Sequence, residues 1–333
     1  MSDAEALVAR RLLQGLAVVL RCQHPSGEIV AFRHDDQGNH VYRRAPYVSA
    51  HVHEALACFD PTDTHWDAGA LNVLPRRQRA RFERDVVTLR RRIRGFLLWQ
   101  QEPEGWWRFH GRGSGIDPDA ATTAAAAVAV AESHSSRSLQ RWERQLTVMG
   151  AFAAADGAFG TFRNGNGAVY GWMDAAGGPV EGIDLLVNLE VLRFLAAAAP
   201  GEPGTAALAA GGLEAGTPLS PDPLTSLRAA ARVQRQTGLL AGAVPALLAA
   251  LGAAVPAGPL GAAMRAQALL DLDAPRPDTD AARLAVLRTV RSEGGWGYED
   301  FVLRGYGSPA LSSALAIAFL AGDAAAHGAR EAA

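Results

Sequence analysis

The chain contains no lysine; all 32 of its basic residues are arginine. Arginine alone reflects either a biased genome or a demand for forked donors that grip phosphates. The parallel excess of alanine favours the genome. Net charge is only -2, which leaves no bulk electrostatic case for a nucleic-acid partner. Cysteine is nearly absent: Cys22 and Cys58 have no CxxC partner, so no disulfide framework is implied. The segment from Met1 to Gln23 has arginines inside its apolar stretch and no small-residue cleavage site, unlike a signal peptide. No apolar run reaches membrane-spanning length without a charge, glycine or proline. Strand-like alternation is missing throughout. These absences predict a soluble, cytoplasmic, strand-free protein; they leave its oligomeric state open.

Alanine fills much of the hydrophobic half of the sequence, often in runs such as Ala124 to Ala127, and alanine is the best helix former. From Pro75 to Gln101 the apolar residues Phe82, Val86, Leu89, Ile93 and Leu97 fall on one helical face, with arginine opposite. A local pattern then returns along the chain: a glycine turn, an aromatic, and a helix of small residues. The copies are Glu104-Gly105-Trp106-Trp107, Asp156-Gly157-Ala158-Phe159 and Glu293-Gly294-Gly295-Trp296, with a degenerate one from Ser26 to Phe32. Helices are expected near Tyr47, Pro118, Ile183 and Ser308, and a loop between Pro200 and Pro223. One hairpin cannot bury both its faces, so neighbours must stack. The expectation is an all-α, (α/α)6-type helical toroid, a double ring of hairpins in one domain over 1–333. Its repeats are clearest at 76–199 and 281–322. His51 and His53 form a lone His-any-His whose side chains diverge on a helix, so no metal site is expected.

The stretch Ser114-Gly115-Ile116-Asp117-Pro118-Asp119-Ala120-Ala121-Thr122-Thr123 carries the most information. Asp117 suits an N-cap and Pro118 the first helical position. Asp119, Thr122 and Thr123 then share a face. A well-capped helix accounts for Asp117 with no chemistry at all, and core packing accounts for most of the turn aromatics.

The turns resemble the repeats of the prenyltransferase and squalene-oxidase superfamily, best in Gly105-Trp106-Trp107 and Gly295-Trp296-Gly297-Tyr298. The segment Gly182 to Asn188, with Asp184, resembles one that recurs in small bacterial members. Within that superfamily Asp119-Ala120-Ala121-Thr122-Thr123 resembles the aspartate motif of class II terpene cyclases, in the Asp-any-Asp-Thr-Thr form of drimenyl diphosphate synthases. The resemblance implies protonation-initiated cyclisation of a linear prenyl diphosphate, most simply farnesyl diphosphate to a drimenyl-type bicyclic diphosphate. The product keeps its diphosphate, because no aspartate-rich ionising motif is present.

Aligned on Thr122 and Thr123, Ala121 stands where the family has its proton donor. The alanine is either an introduced replacement or a divergence, and the resemblance then implies a chain that binds substrate but scarcely turns it over. The diphosphate falls to Arg108 and Arg112, with Mg2+ entering through the diphosphate and no metal site of the protein's own. The cavity would be walled by some of Trp106, Trp107, Phe109, Phe159, Trp172, Trp296 and Tyr306. The alternative is a non-catalytic toroid, a scaffold or binding protein with a decayed motif.

Overall fold

Composition sorts the helices into two rings. The computed structural model describes residues 3–34, 39–63, 65–131, 137–153, 159, 162–163, 169–170, 172–173, 179–180, 184–198, 223–292, 294–301 and 306–331. Among these residues are eleven α-helices: α1 Asp3–Arg21, α2 Pro46–Ala55, α3 Arg76–Gln100, α4 Ala120–Ala131, α5 Arg137–Gly150, α6 Leu185–Ala198, α7 Pro223–Thr237, α8 Val244–Ala253, α9 Pro259–Asp271, α10 Arg276–Arg288 and α11 Pro309–Glu331. Helices α2, α4, α6, α7, α9 and α11 pack each on the next, and α11 packs back on α2 to close an inner ring. Outside it, α1 packs on α11, α3 on α2, α5 on α4, α8 on α7 and α10 on α9. This is the double ring of hairpins that the repeats imply. The expected loop between Pro200 and Pro223 and the turn before Phe159 fall outside the described residues.

Helix α4 shows why a helix goes inside. All of its residues except Ala121 are buried, and alanine lets neighbours approach from every side. Helix α11 has a stretch, Pro309–Ala326, long and apolar enough to cross a membrane, but 72% of it is buried within the protein. Its apolar faces are consumed by α1, α2 and α9. Helix α3 is an outer helix. Phe82, Val86, Leu89, Ile93 and Leu97 are buried along one face, as their spacing predicts, and Arg77, Arg81, Arg84 and Arg91 are exposed on the other. Arg90 breaks the pattern. It is buried, 2.6 Å from Asp60 and 2.5 Å from Asp63, with its Nε donating to the His53 carbonyl. A buried guanidinium needs this pairing.

One correction concerns strands. A three-stranded antiparallel sheet, order β2–β1–β7, joins β1 Ala31–His34, β2 His40–Arg43 and β7 Tyr306–Gly307. Phe32 pairs with both Tyr42 and Gly307, so the first repeat's turn is stitched to the last. Strands of two to four residues are too short to show alternation in sequence. Four two-residue strands, β3 Phe162–Arg163, β4 Val169–Tyr170, β5 Trp172–Met173 and β6 Pro179–Val180, form two further ladders.

The repeat itself is a backbone device. In three turns the same pair of hydrogen bonds recurs: Gly27, Gly105 and Gly294 donate to the carbonyls of His24, Glu102 and Arg291, and those residues' N–H groups bond the carbonyls of Glu28, Trp106 and Gly295. The three glycines have φ of +95°, +106° and +84°, a region open at little cost only to glycine. Two residues after each glycine, a backbone N–H is held by a side chain from the following inner helix. Ile29 donates to Ser49 Oγ at 3.0 Å, Trp107 to Thr123 Oγ1 at 3.1 Å and Trp296 to Ser313 Oγ at 3.2 Å. Phe159 is held in the same way by Asn188 Oδ1 at 3.1 Å. The indoles act alike too. Trp107 Nε1 donates to Leu97 O and Trp296 Nε1 to Val286 O, each satisfying a carbonyl in the last turn of the preceding outer helix.

Thr123→Val keeps the shape but strands the buried Trp107 N–H. It is expected to cost roughly 1–3 kcal/mol, read by urea denaturation. An unchanged midpoint would remove the clamp from the account of stability.

Candidate active site

Helix α4 starts two residues later than its sequence suggests. Asp119, not Asp117, is the cap: its Oδ1 accepts the Thr122 N–H at 2.7 Å. The chain around Asp119 is fixed by the clamp, since its own N–H donates to Trp107 O. Asp117 precedes a proline and is steered away from helical backbone. Asp184 occupies the same place in α6, with Oδ1 accepting the Val187 N–H at 3.2 Å. Both aspartates are buried.

Asp119 is in an unusual electrostatic state. Its Oδ2 is buried without a hydrogen-bond partner. Burial raises its pKa to about 7, against the pull of the Thr122 N–H. Desolvation disfavours the carboxylate and wins over the helix terminus, which favours it. Near neutral pH a large fraction of Asp119 is therefore a neutral acid carrying a proton in a dry place.

At the same end of the ring lies an aromatic cluster. Phe301 stacks on Tyr47 at 5.5 Å, Phe109 lies 5.5 Å from Tyr47 and 5.0 Å from Tyr306, and His51 meets Tyr47 edge-on at 4.4 Å. Burial, then the charge of Glu190, hold the Tyr47 phenol well above its usual pKa; the charge of Asp119 acts in the same direction. The Tyr47 and Tyr306 hydroxyls are buried without hydrogen bonds.

Further along the lumen the inner helices bring charges together. Glu54 of α2 lies 2.9 Å from Arg193 of α6, 2.8 Å from Arg232 and 3.9 Å from Arg228 of α7. Glu190 lies 3.3 Å from Arg193, and His51 stands between the two glutamates at 3.7 Å from each. Burial pushes the Glu54 carboxyl up, but Arg193 and Arg232 overcome it and hold it well below the usual range. Beyond this network, at the C-terminal ends of the inner helices, opens a cavity of about 1470 Å³. Glu54, Val128, Arg193, Arg232, Gln267 and Ala318 are among its lining. Asp119 and the aromatic cluster are not.

The structure sorts the sequence-derived site residues into groups. Asp119, Phe109 and Tyr306 share the aspartate end of the ring, whereas the Trp107, Trp296 and Phe159 N–H groups are held by the clamp and the Trp107 and Trp296 indoles bond outer helices. Trp106 is half-buried, edge-on to Phe152 at 5.8 Å. Trp172 lies in β5, paired with Val180, and its side chain is outside the described residues. Thr123 belongs to the clamp, Thr122 is buried with a bare hydroxyl, and Ala121 is half-buried against the core. Arg108 pairs with Glu102 at 2.9 Å and Arg112 lies 3.7 Å from the same carboxylate. Neither arginine lines the cavity, so the geometry does not join them to an anion site there. Nothing local marks Tyr47, Glu54, Arg193, Phe301 or Arg228: Glu54 and Arg193 are 139 residues apart.

No protein-family model and no curated protein matches the chain. Solved structures do. A variant of the type II terpene cyclase MstE from Scytonema, in complex with its substrate geranylgeranyl dihydroxybenzoate, is similar at TM-score 0.64 and 15% identity over 98% of this chain and 99% of that one. Another MstE variant, in complex with its product merosterolic acid A, gives 0.63 and 15% over 96% and 98%. A protein from Actinoplanes gives 0.59 and 17% over 97% and 99%. At these identities the likeness is one of architecture: from end to end, this chain has the fold seen in type II terpene cyclases.

Proposed function

We propose that the chain is a protonation-initiated cyclase of a linear isoprenoid, most simply of farnesyl diphosphate to a drimenyl-type bicyclic diphosphate, with Asp119 as the proton donor. One observation carries this reading: a buried, largely neutral carboxylic acid with a bare oxygen, beside an aromatic cluster, in a terpene-cyclase fold. An alkene is a very weak base, so its acid must be dry, neutral and positioned. Proton transfer from Asp119 Oδ2 to the terminal alkene forms one C–H bond and leaves a tertiary cation. Neighbouring alkenes attack in turn and close the rings, and loss of a proton from the last cation restores an alkene. The π faces of Tyr47, Phe109, Phe301 and Tyr306 offer stabilisation to the passing charge. The carboxylate left behind keeps its bond from the Thr122 N–H at the positive end of α4. Magnesium enters only as a companion of the substrate's diphosphate, which the product retains. On this reading Asp119 takes the role that the family resemblance assigns to position 121.

The second reading, a non-catalytic toroid, is favoured by one observation: the ion network lies between the wide cavity and Asp119. Product analysis by mass spectrometry after incubation with farnesyl diphosphate, geranylgeranyl diphosphate and squalene separates the two. The parent chain is expected to form a cyclic product, and Asp119→Asn to lose on the order of a hundred- to ten-thousand-fold in rate. Activity should fall as pH rises through about 7, where Asp119 loses its proton. An inert parent with an active Ala121→Asp chain would move the acid to 121. If both are inert, the toroid is a scaffold.

A test independent of substrate follows from linkage. The folded pKa of about 7 exceeds the unfolded value of about 3.9. Between these values the unfolded chain loses a proton that the folded chain keeps, so this group lowers stability as pH rises. Asp119→Asn keeps the cap and removes the titration. It should change little below pH 4 and gain stability up to pH 7, by up to about 4 kcal/mol, as read by denaturation at several pH values. Parallel pH curves for parent and variant would disprove the raised pKa.

A further inference from the structure

We infer that the floor of the wide cavity is an oxyanion site, built by Arg193, Arg228 and Arg232 around Glu54, for the phosphate or carboxylate head of a ligand. Charge comes first. Three guanidiniums meet two carboxylates, Glu54 and Glu190, in one cluster. Asp271 attracts Arg228 and Arg232 as well but is shared with Arg235 at 2.8 Å. Among the described residues four guanidiniums therefore meet three carboxylates, Glu54, Glu190 and Asp271, in a cluster where Arg193 and Arg228 are only 4% and 3% exposed. A surplus of buried positive charge is expensive unless matched, and His51 brings no negative charge.

Donors come second. Three guanidiniums carry roughly fifteen N–H groups and no acceptor. Arg193 Nη1 makes a hydrogen bond to Glu54 Oε2 at 2.9 Å. Arg228 Nε and Nη2 are buried and make none, because 3.9 Å to Glu54 is an ionic contact and too long for a hydrogen bond. Planar forks of this kind fit the paired oxygens of a carboxylate or phosphate. Access comes third: Arg193, Arg232 and Glu54 line the cavity, so a ligand in it meets the cluster through these residues, with Arg228 buried behind them. Glu5, Asp67 and Asp273 also line the cavity, so the positive surplus belongs to this cluster and not to the whole wall.

Position gives the site a meaning that rests on the cyclase reading. Arg193 follows Asp184 by nine residues in α6, roughly 13 Å along the axis at 1.5 Å per residue. Asp184 shares its place with Asp119. The cavity lining stops short of Asp119, so an isoprenoid tail joining a head group on the floor to the acid has to cross that depth past the Glu54 and Glu190 network.

Calorimetry with inorganic diphosphate and with farnesyl diphosphate tests the site without needing turnover. Both are expected to bind the parent chain, with the farnesyl compound tighter if the lumen takes the tail. Arg232→Gln and Arg228→Met should each weaken inorganic diphosphate about tenfold or more, and Arg112→Gln should leave it unchanged. Circular dichroism checks that Arg228→Met folds; Arg232→Gln, on the cavity wall, carries the test if it does not. Failure of both probes to bind, binding indifferent to Arg232→Gln, or loss of binding in Arg112→Gln would each overturn the site. Diphosphate binding through Arg232 in a chain that cyclises nothing would uphold the site and sink the cyclase reading.

Discussion

Each inner helix ends with four unpaired backbone N–H groups at its start and four carbonyls at its finish. Burying the helices in a closed ring makes their satisfaction the governing constraint. The repeat meets it at the starting end. Asp119 and Asp184 cap α4 and α6 with a carboxylate oxygen, and Ser308 Oγ accepts the Ala310 N–H in α11. One turn on, Ser49, Thr123, Asn188 and Ser313 use side chains to grip the preceding turn. The hairpins are therefore held as much by these polar stitches as by apolar packing.

The same constraint gives the lumen its polarity. With the inner helices parallel, their positive ends gather where the aspartates stand and their negative ends gather at the cavity. Arg193, Arg232 and Arg235 lie in the later turns of α6 and α7, where cations are favoured. Two chemically different ends thus follow from helix direction. The aspartate end is aromatic; the arginine end opens on the cavity.

Asp119 and Asp184 show how finely a repeated position can be tuned. Both are buried caps of equivalent helices. Asp119 has an oxygen that finds no donor, so burial dominates and its proton is retained. A buried cap shared by α4 and α6 is, in α4, a candidate acid. The family resemblance places the acid two residues later, at Ala121, because it rests on the two threonines. Thr123, however, is committed to the clamp, as Ser313 is in the last repeat.

The helices, their burial faces and their recurrence were legible in the sequence, because periodicity and glycine-aromatic turns are local. Phe82 to Leu97 foretold the buried face of α3, and Gly105 and Gly294 foretold turns that only glycine adopts easily. The ring's short sheet was not legible, since two to four residues leave no pattern. Nor could local spacing distinguish Trp107 and Trp296, which stitch outer helices, from Phe109 and Tyr306, which join the aromatic cluster with Tyr47. The meeting of Glu54, Glu190, Arg193, Arg228 and Arg232 depends on ring closure between helices far apart in the chain. The sequence by itself determined the elements and the architecture, through interactions within one hairpin. The tertiary structure alone decided that a buried Asp119 oxygen is left without a donor and which charges share the lumen, because desolvation and distant ion pairs exist only once the ring has closed.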